Sequence, residues 1–148
     1  MEQVTYCSGE KQEAELIRHN LVAFNCDRLG CSKTDMFDEM TECAKGADGT
    51  MFGGICGDVE LNSVLHVKAF WVCEDYRRSG MGTELLHNLQ ERAIAKGATF
   101  SYLETFDFQA KVFFLKNGYD VFAKVDYKNG HVIYFMRSWL RAPRRAAE

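Results

Sequence analysis

The chain has 148 residues, a formal net charge of −3 and 47% hydrophobic content, which is the size and apolar fraction of one domain able to bury its own core. The acidic balance excludes a broadly basic nucleic-acid surface, and no apolar run approaches the roughly 18 residues of a membrane-spanning helix. The start Met1-Glu2-Gln3-Val4 lacks the basic-then-apolar layout of a signal peptide, so a single domain over 1–148, cytoplasmic and without nucleic-acid or membrane partners, is expected.

Residues 2–7 read as a short opening strand, and Ser8 as the cap of a helix in which Ala14, Ile17, Leu21 and Phe24 recur at helical spacing. The stretch 25–38 suits a short helix or the lead into a strand equally well. Extended segments at 40–45 and 50–59 flank the turn Ala47-Asp48-Gly49 and predict a hairpin. Gly53, Gly54 and Gly57 in its second arm require a bulge or a closely packed neighbour. After a turn at Leu61-Asn62-Ser63, residues 64–73 alternate Leu65, Val67, Ala69 and Trp71 on one face with His66, Lys68, Phe70 and Val72 on the other, as a central strand does.

A helix over 80–96 carries Leu85, Leu86, Leu89, Ala93 and Ile94 on its apolar side and stops at Gly97. A strand at 99–105 and a short helix at 109–117 follow, with Asp107 as the helix cap and Gly118 at its end. Strands at 119–125 and 131–137 close the chain as a hairpin turning at Lys128-Asn129-Gly130. The order β-α-β-β-β-α-β-α-β-β defines an α/β domain whose sheet mixes parallel and antiparallel neighbours, with helices on its faces. Cys7, Cys26, Cys31, Cys43, Cys56 and Cys73 form no C-x-x-C pair, and with four histidines they show no zinc spacing, so reduced, mostly buried thiols and no metal are expected. Arg137, Arg141, Arg144 and Arg145 read as a solvated basic tail.

The central strand runs into Glu74-Asp75-Tyr76-Arg77-Arg78-Ser79-Gly80-Met81-Gly82-Thr83, a basic turn with two glycines that opens directly into a helix. This is the layout of an anion site, because glycine lets backbone approach a ligand and the first N–H groups of a helix point outward at its positive end. Arg77 and Arg78 add full charges. A plain strand-to-helix connection with two surface arginines is the other reading. Neither G-x-G-x-x-G nor G-x-x-x-x-G-K-S/T is present, which excludes a Rossmann or P-loop site.

Arg77-Arg78-Ser79-Gly80-Met81-Gly82 also matches the pattern Arg or Gln, two residues, Gly, one residue, Gly or Ala. With Thr105-Phe106-Asp107-Phe108-Gln109-Ala110, Phe113-Phe114 and Gly118-Tyr119 downstream, the chain resembles the GNAT N-acetyltransferase superfamily over about residues 51–136. The resemblance implies a GNAT-like acyl-CoA N-acyltransferase fold with acetyl-CoA as donor. It places the pyrophosphate on the amides of Ser79, Gly80, Met81, Gly82 and Thr83 with Arg77 and Arg78 nearby. It lays the pantetheine arm along the main chain around Val72, where two strands splay apart, and sets the acetyl carbonyl against that same strand.

Where the superfamily commonly places a tyrosine that assists the departing thiolate, this chain has Phe114. Three readings follow: another tyrosine among Tyr102, Tyr119, Tyr127 and Tyr134 substitutes, the solvent-stabilised thiolate leaves unaided, or acyl-CoA is bound without efficient turnover. Glu104, next to the expected splay, is the candidate base for the acceptor amine, or else a strand-end charge that only salt-bridges. His66 reads first as a structural group, and no histidine is placed by sequence to activate Cys73. Phe24, Phe37, Trp71, Tyr127 and Tyr134 are candidates for an aromatic acceptor pocket or for core. The function implied is acetyl transfer to a primary amine of a small molecule or protein by direct attack in a ternary complex, with room for a homodimer. A non-catalytic acyl-CoA-binding module is the alternative, and an interaction protein using the basic tail is a third reading.

Overall fold

The computed structural model describes residues 1–140. Helices α1 (Lys11–Leu29) and α2 (Lys33–Met36) precede strands β1 (Asp38–Lys45), β2 (Met51–Glu60) and β3 (Val64–Val72). A 3-10 turn (Glu74–Tyr76) leads into α3 (Met81–Ala95), followed by β4 (Phe100–Phe106), α4 (Lys111–Lys116), β5 (Asp120–Asp126) and β6 (Val132–Trp139). The described residues form a six-stranded sheet in the order β1-β2-β3-β4-β6-β5. β3 and β4 are parallel and the other neighbours antiparallel. The one parallel pair follows from α3, which carries the chain back over the sheet, whereas turns reverse it from β1 to β2, β2 to β3 and β5 to β6, and β6 reaches β4 after α4 and β5. The mixed α/β architecture matches the expected class.

The core lies under α3. Leu85, Leu86, Leu89 and Ala93 share one buried cluster with Met40, Ile55, Val59, Leu65 and Val67 of β1 to β3. Arg92 donates to the Thr41 carbonyl at 3.1 Å and Lys96 pairs with Asp38 at 2.6 Å, so both ions tie the helix to the sheet edge.

Residues 1–10 form no strand and are exposed, so the sheet has one strand fewer than expected. Val4 and Tyr6 alone are too little apolar surface to offset ordering that segment. α1 starts at Lys11 rather than after Ser8, because Glu10 and Glu13 close a capping box, with the Glu10 amide donating to Glu13 Oε2 at 2.9 Å. None of its side chains is buried: Ile17, Leu21 and Phe24 are exposed despite their spacing. The open stretch 25–38 resolves into the end of α1 and the single turn of α2, joined where Cys26 Sγ meets Met36 Sδ at 3.3 Å.

The simple alternation expected for β3 is broken by a bulge. Cys56 stands opposite Ala69 and Gly57 opposite Val67, which leaves Lys68 unpaired and switches the faces. Leu65 and Val67 are buried before it, and Val72 after it, while Trp71 is 51% exposed. Gly57 is the residue that allows this approach: a Cβ there would lie 2.3 Å from the His66 carbonyl oxygen. All six cysteines are free, but Cys7 and Cys43 are exposed and the rest only partly covered, so the thiols are less buried than expected. Arg137 pairs with Asp120 at 3.6 Å, and the other tail arginines, Arg141, Arg144 and Arg145, lie outside the described residues. Among the described residues no helix is long and apolar enough to cross a membrane.

Gly57→Ala is expected to lower the unfolding free energy by about 1–3 kcal/mol, because the added methyl overlaps main chain that cannot move aside. Urea denaturation followed by circular dichroism reads this as a lower midpoint with an unchanged slope; a wild-type midpoint would contradict the close packing at the bulge.

Candidate active site

β3 and β4 pair only from Val64↔Phe100 to Val67↔Leu103. Past that point β3 stays with β2 as far as Gly53↔Val72, and β4 stays with β6 as far as Phe106↔Ile133. The gap between them is a cleft of ≈ 220 Å³ bordered by Lys68, Phe70, Glu104, Thr105, Phe106 and Phe114. It shares Phe70, Gln109 and Ala110 with a larger groove of ≈ 720 Å³, which passes Trp71 and Val72 to reach Arg77, Arg78, Gly80, Gly82 and Thr83, with Phe113 and Lys116 on its far wall.

The turn at the groove's end is built from local hydrogen bonds. The Cys73 amide donates to the Phe52 carbonyl at 2.8 Å, Tyr76 to Cys73 at 3.0 Å and Arg77 to Glu74 at 3.2 Å. Tyr76 stacks on Phe52 at 4.5 Å between ring centroids. Arg78 (φ 61°) and Gly80 (φ 88°) both adopt left-handed backbone, which turns the following amides outward. Ser79 Oγ donates to the Tyr76 carbonyl and accepts from the Met81 amide at 3.4 Å. Among the described residues the amides of Ser79, Gly80, Gly82 and Thr83 have no acceptor. Gly82 lets the start of α3 sit against aromatic rings: a Cβ would lie 2.9 Å from Phe70 Cζ and 3.2 Å from Phe113 Cε2. Arg77 is more than a free surface charge, since its Nε donates to the Val72 carbonyl at 3.0 Å and fixes the end of β3. Sequence gave no sign of that contact, nor of Lys116, which faces the same groove from α4.

At the other end Glu104 is the first β4 residue beyond the last β3 pair, and it borders the cleft. It is not isolated. Its Oε2 lies 2.8 Å from His66 Nε2, and His66 Nδ1 is 3.6 Å from Glu60 Oε1. Tyr102 stacks on the imidazole at 4.2 Å and donates its hydroxyl to Glu60 Oε1 at 2.7 Å. Burial, reinforced by the Glu60 carboxylate, pushes the Tyr102 phenol far above its usual range. Lys68 is ion-paired with Asp58, whose carboxylate is buried, and that hydrogen bond raises the lysine pKa.

Phe114 is 2% exposed and meets Phe70, Phe113 and Tyr119 edge-on, so the floor of the cleft is apolar. None of the four tyrosines considered as substitutes lines the cleft or the groove. Tyr119 is buried, with its hydroxyl donating to Ser101 Oγ at 2.7 Å and accepting from Gln90, and burial raises its pKa. Tyr134 lies beneath the Lys111 ammonium, and Tyr127 tilts against Phe106. Of the five candidate aromatic pocket residues only Trp71 lines either cavity; Phe24 lies beside Arg28 on α1, and Phe37 is exposed. Asp107 does not cap α4. Its carboxylate faces His131 Nδ1 at 3.0 Å, because the helix starts later, after Ala110, whose amide donates to Thr105 Oγ1 at 3.2 Å. Cys73 is a partly buried free thiol.

A model of the Acetyltransferase (GNAT) family matches residues 16–119. The chain is 37% identical over 89 residues to the blasticidin-S acetyltransferase of Streptomyces morookaense, a match that covers 59% of this chain and 65% of that protein's length, so the chain spans less than two thirds of this relative. The crystal structure of an acetyltransferase from Bacillus cereus superposes with a TM-score of 0.79 at 29% identity, over 93% of this chain and 98% of that one. An aminoglycoside 6'-N-acetyltransferase solved with coenzyme A shares the fold, with a TM-score of 0.64 at 14% identity over 94% and 98% of the two chains. The matched residues include the splayed strands, the basic turn and α3, and the chain belongs to the GNAT acetyltransferase family.

Proposed function

We propose that the protein is an acetyl-CoA-dependent N-acetyltransferase that acts on a primary amine by direct attack in a ternary complex. The observation that carries this reading is the continuous opening that runs from the outward amides of the turn, along the unpaired edge of β3, to the Glu104 carboxylate. The fit to the donor rests on the same features. Amides of Ser79, Gly80, Gly82 and Thr83 without protein acceptors, with Met81 held only weakly, suit phosphate oxygens, and Arg78 and Lys116 add charge beside them. Arg77 steadies the Val72 main chain, so that the free edge of β3 can hydrogen-bond an extended arm as a strand would. Acetyl-CoA supplies a thioester whose carbonyl carbon is open to attack by a neutral amine.

An alkylamine of pKa about 10.4 must lose a proton before or during attack, and Glu104 is the carboxylate that borders the cleft. The packing of Phe114 leaves no phenol there, so the sulfur departs as a thiolate, a fair leaving group because a thiol is far more acidic than an alcohol. The binding-only alternative drew on Phe114 alone; an apolar floor with a carboxylate above it is compatible with turnover, and the enzyme reading is preferred. Relatives named for blasticidin S and aminoglycosides support a small-molecule acceptor, and the carboxylates of Glu39, Glu60 and Glu104 on neighbouring strands suit a cationic one. The reading takes the chain as one domain working in the cytoplasm, without a metal.

Calorimetry with acetyl-CoA is expected to show binding in the micromolar to submillimolar range. Gly80→Val forces a β-branched side chain into left-handed backbone and is expected to weaken that binding about tenfold or more while the far-ultraviolet spectrum is kept. Unchanged affinity would make the turn a connector only. Glu104→Gln is expected to lower kcat about 100-fold in a thiol-release assay with cofactor affinity intact. Phe114→Tyr is expected to preserve or raise turnover; a large loss would show that the apolar ring shapes the site.

A further inference from the structure

The acetyl-transfer reading gives a chemical step to Glu104 alone and assigns nothing to His66 and Tyr102, which stand beside it on the sheet face opposite α3. We infer that His66 is a positioning residue that locks the Glu104 carboxylate at the mouth of the cleft, with Glu60 and Tyr102 clamping the imidazole from behind. This inference rests on the N-acetyltransferase reading and names a residue through which that reaction is tuned.

The geometry assigns each atom a task. Asp58, His66 and Tyr102 stand side by side in register on β2, β3 and β4, so the imidazole lies in a row held on both sides by strands. Facing a carboxylate oxygen at 2.8 Å, His66 Nε2 is the donor, and it engages only Oε2 of Glu104. Among the described residues Oε1 of Glu104 has no partner, and the side chain is 32% exposed beside the cleft. A free glutamate samples many rotamers, and the imidazole contact holds its carboxylate in one of them before the acceptor arrives. The imidazole is itself held. Tyr102 lies parallel to it at 10° and 4.2 Å, and its hydroxyl fixes Glu60 Oε1 on the Nδ1 side. A solvated salt bridge would need neither the stack nor the second carboxylate.

During transfer the amine nitrogen forms the C–N bond as the C–S bond breaks, and sulfur keeps that electron pair. The proton shed by nitrogen passes to the free Oε1 of Glu104 and from there to the thiolate, while His66 retains its Nε2 proton throughout. The other charges nearby are already engaged or remote: Asp58 with Lys68, Arg137 of β6 with Asp120 of β5, and Glu39 of β1 opposite Asp58. His66 is thus the donor that reaches Glu104.

The test uses the full chain with acetyl-CoA and, as acceptors, blasticidin S and an aminoglycoside, following thiol release and N-acetyl product. His66→Asn keeps a polar side chain but is too short to reach Glu104, and is expected to lower kcat about tenfold or more with the acetyl-CoA KM unchanged. His66→Gln, which carries an amide N–H to the place of Nε2, is expected to restore kcat to within about threefold of wild type. In the background of Glu104→Gln, His66→Asn is expected to cause no further loss, because its effect acts through that carboxylate. Wild-type kcat in His66→Asn, equal losses in Asn and Gln, or independent losses in the double variant would each overturn the inference while leaving the acetyltransferase reading in place. Failure of the wild-type protein to acetylate either acceptor, with acetyl-CoA bound, would instead remove that reading and this inference together.

Discussion

Two parallel strands that stay hydrogen-bonded along their whole length leave no space between them, and everything distinctive in this molecule follows from β3 and β4 parting after Val67↔Leu103. The bulge at Lys68 turns β3 away, and each strand keeps its outer neighbour, so the sheet opens without coming apart. The inner edges are left with unpaired main-chain groups, which would be unfavourable if buried dry and are useful only where a ligand or water can meet them. Phe70, Phe113 and Phe114 fill the base of the opening, with Phe70 and Phe113 stacked at 4.8 Å. That wedge keeps the gap from collapsing, and Gly82 is what lets α3 approach it.

Charge is distributed along this opening in a way that the net value of −3 conceals. One end gathers Arg77, Arg78, Lys116 and the positive end of α3; the other gathers Glu104 with Glu60 and Asp58 behind it. An anionic donor entering at one end and a cationic amine at the other would each find the complementary sign, which is the arrangement the proposed reaction requires. Between them the rings of Phe70, Phe113 and Phe114 and the side chain of Val72 line the passage.

The acid and base ends of the site differ in how they were recognisable. The turn is a continuous stretch whose conformation depends on its own residues: Gly80 at positive φ, Ser79 capping back onto Tyr76, and the 3-10 hydrogen bonds before it. Local chemistry of this kind leaves a local pattern. Glu104 and His66 are 38 positions apart and meet only because the register of β3 on β4 is what it is, so neither carried a mark of the other. The same reason explains Asp107, whose partner His131 arrives from the last hairpin and draws it away from the helix start.

The sequence by itself determined the mixed α/β class, the hairpins at Asp48-Gly49 and Asn129-Gly130, the buried side of α3 and the basic turn before it, because each depends on periodicity or turn chemistry within a few residues. Only the tertiary structure decided that residues 2–7 stay out of the sheet, that α1 forms through its cap without burying a face, and that β3 changes sides at Lys68. Those outcomes turn on which surfaces find a partner elsewhere in the chain. The pairing of Glu104 with His66 beside the cleft belongs to that second kind, since it is created by strand register and by nothing in either residue's neighbourhood in sequence.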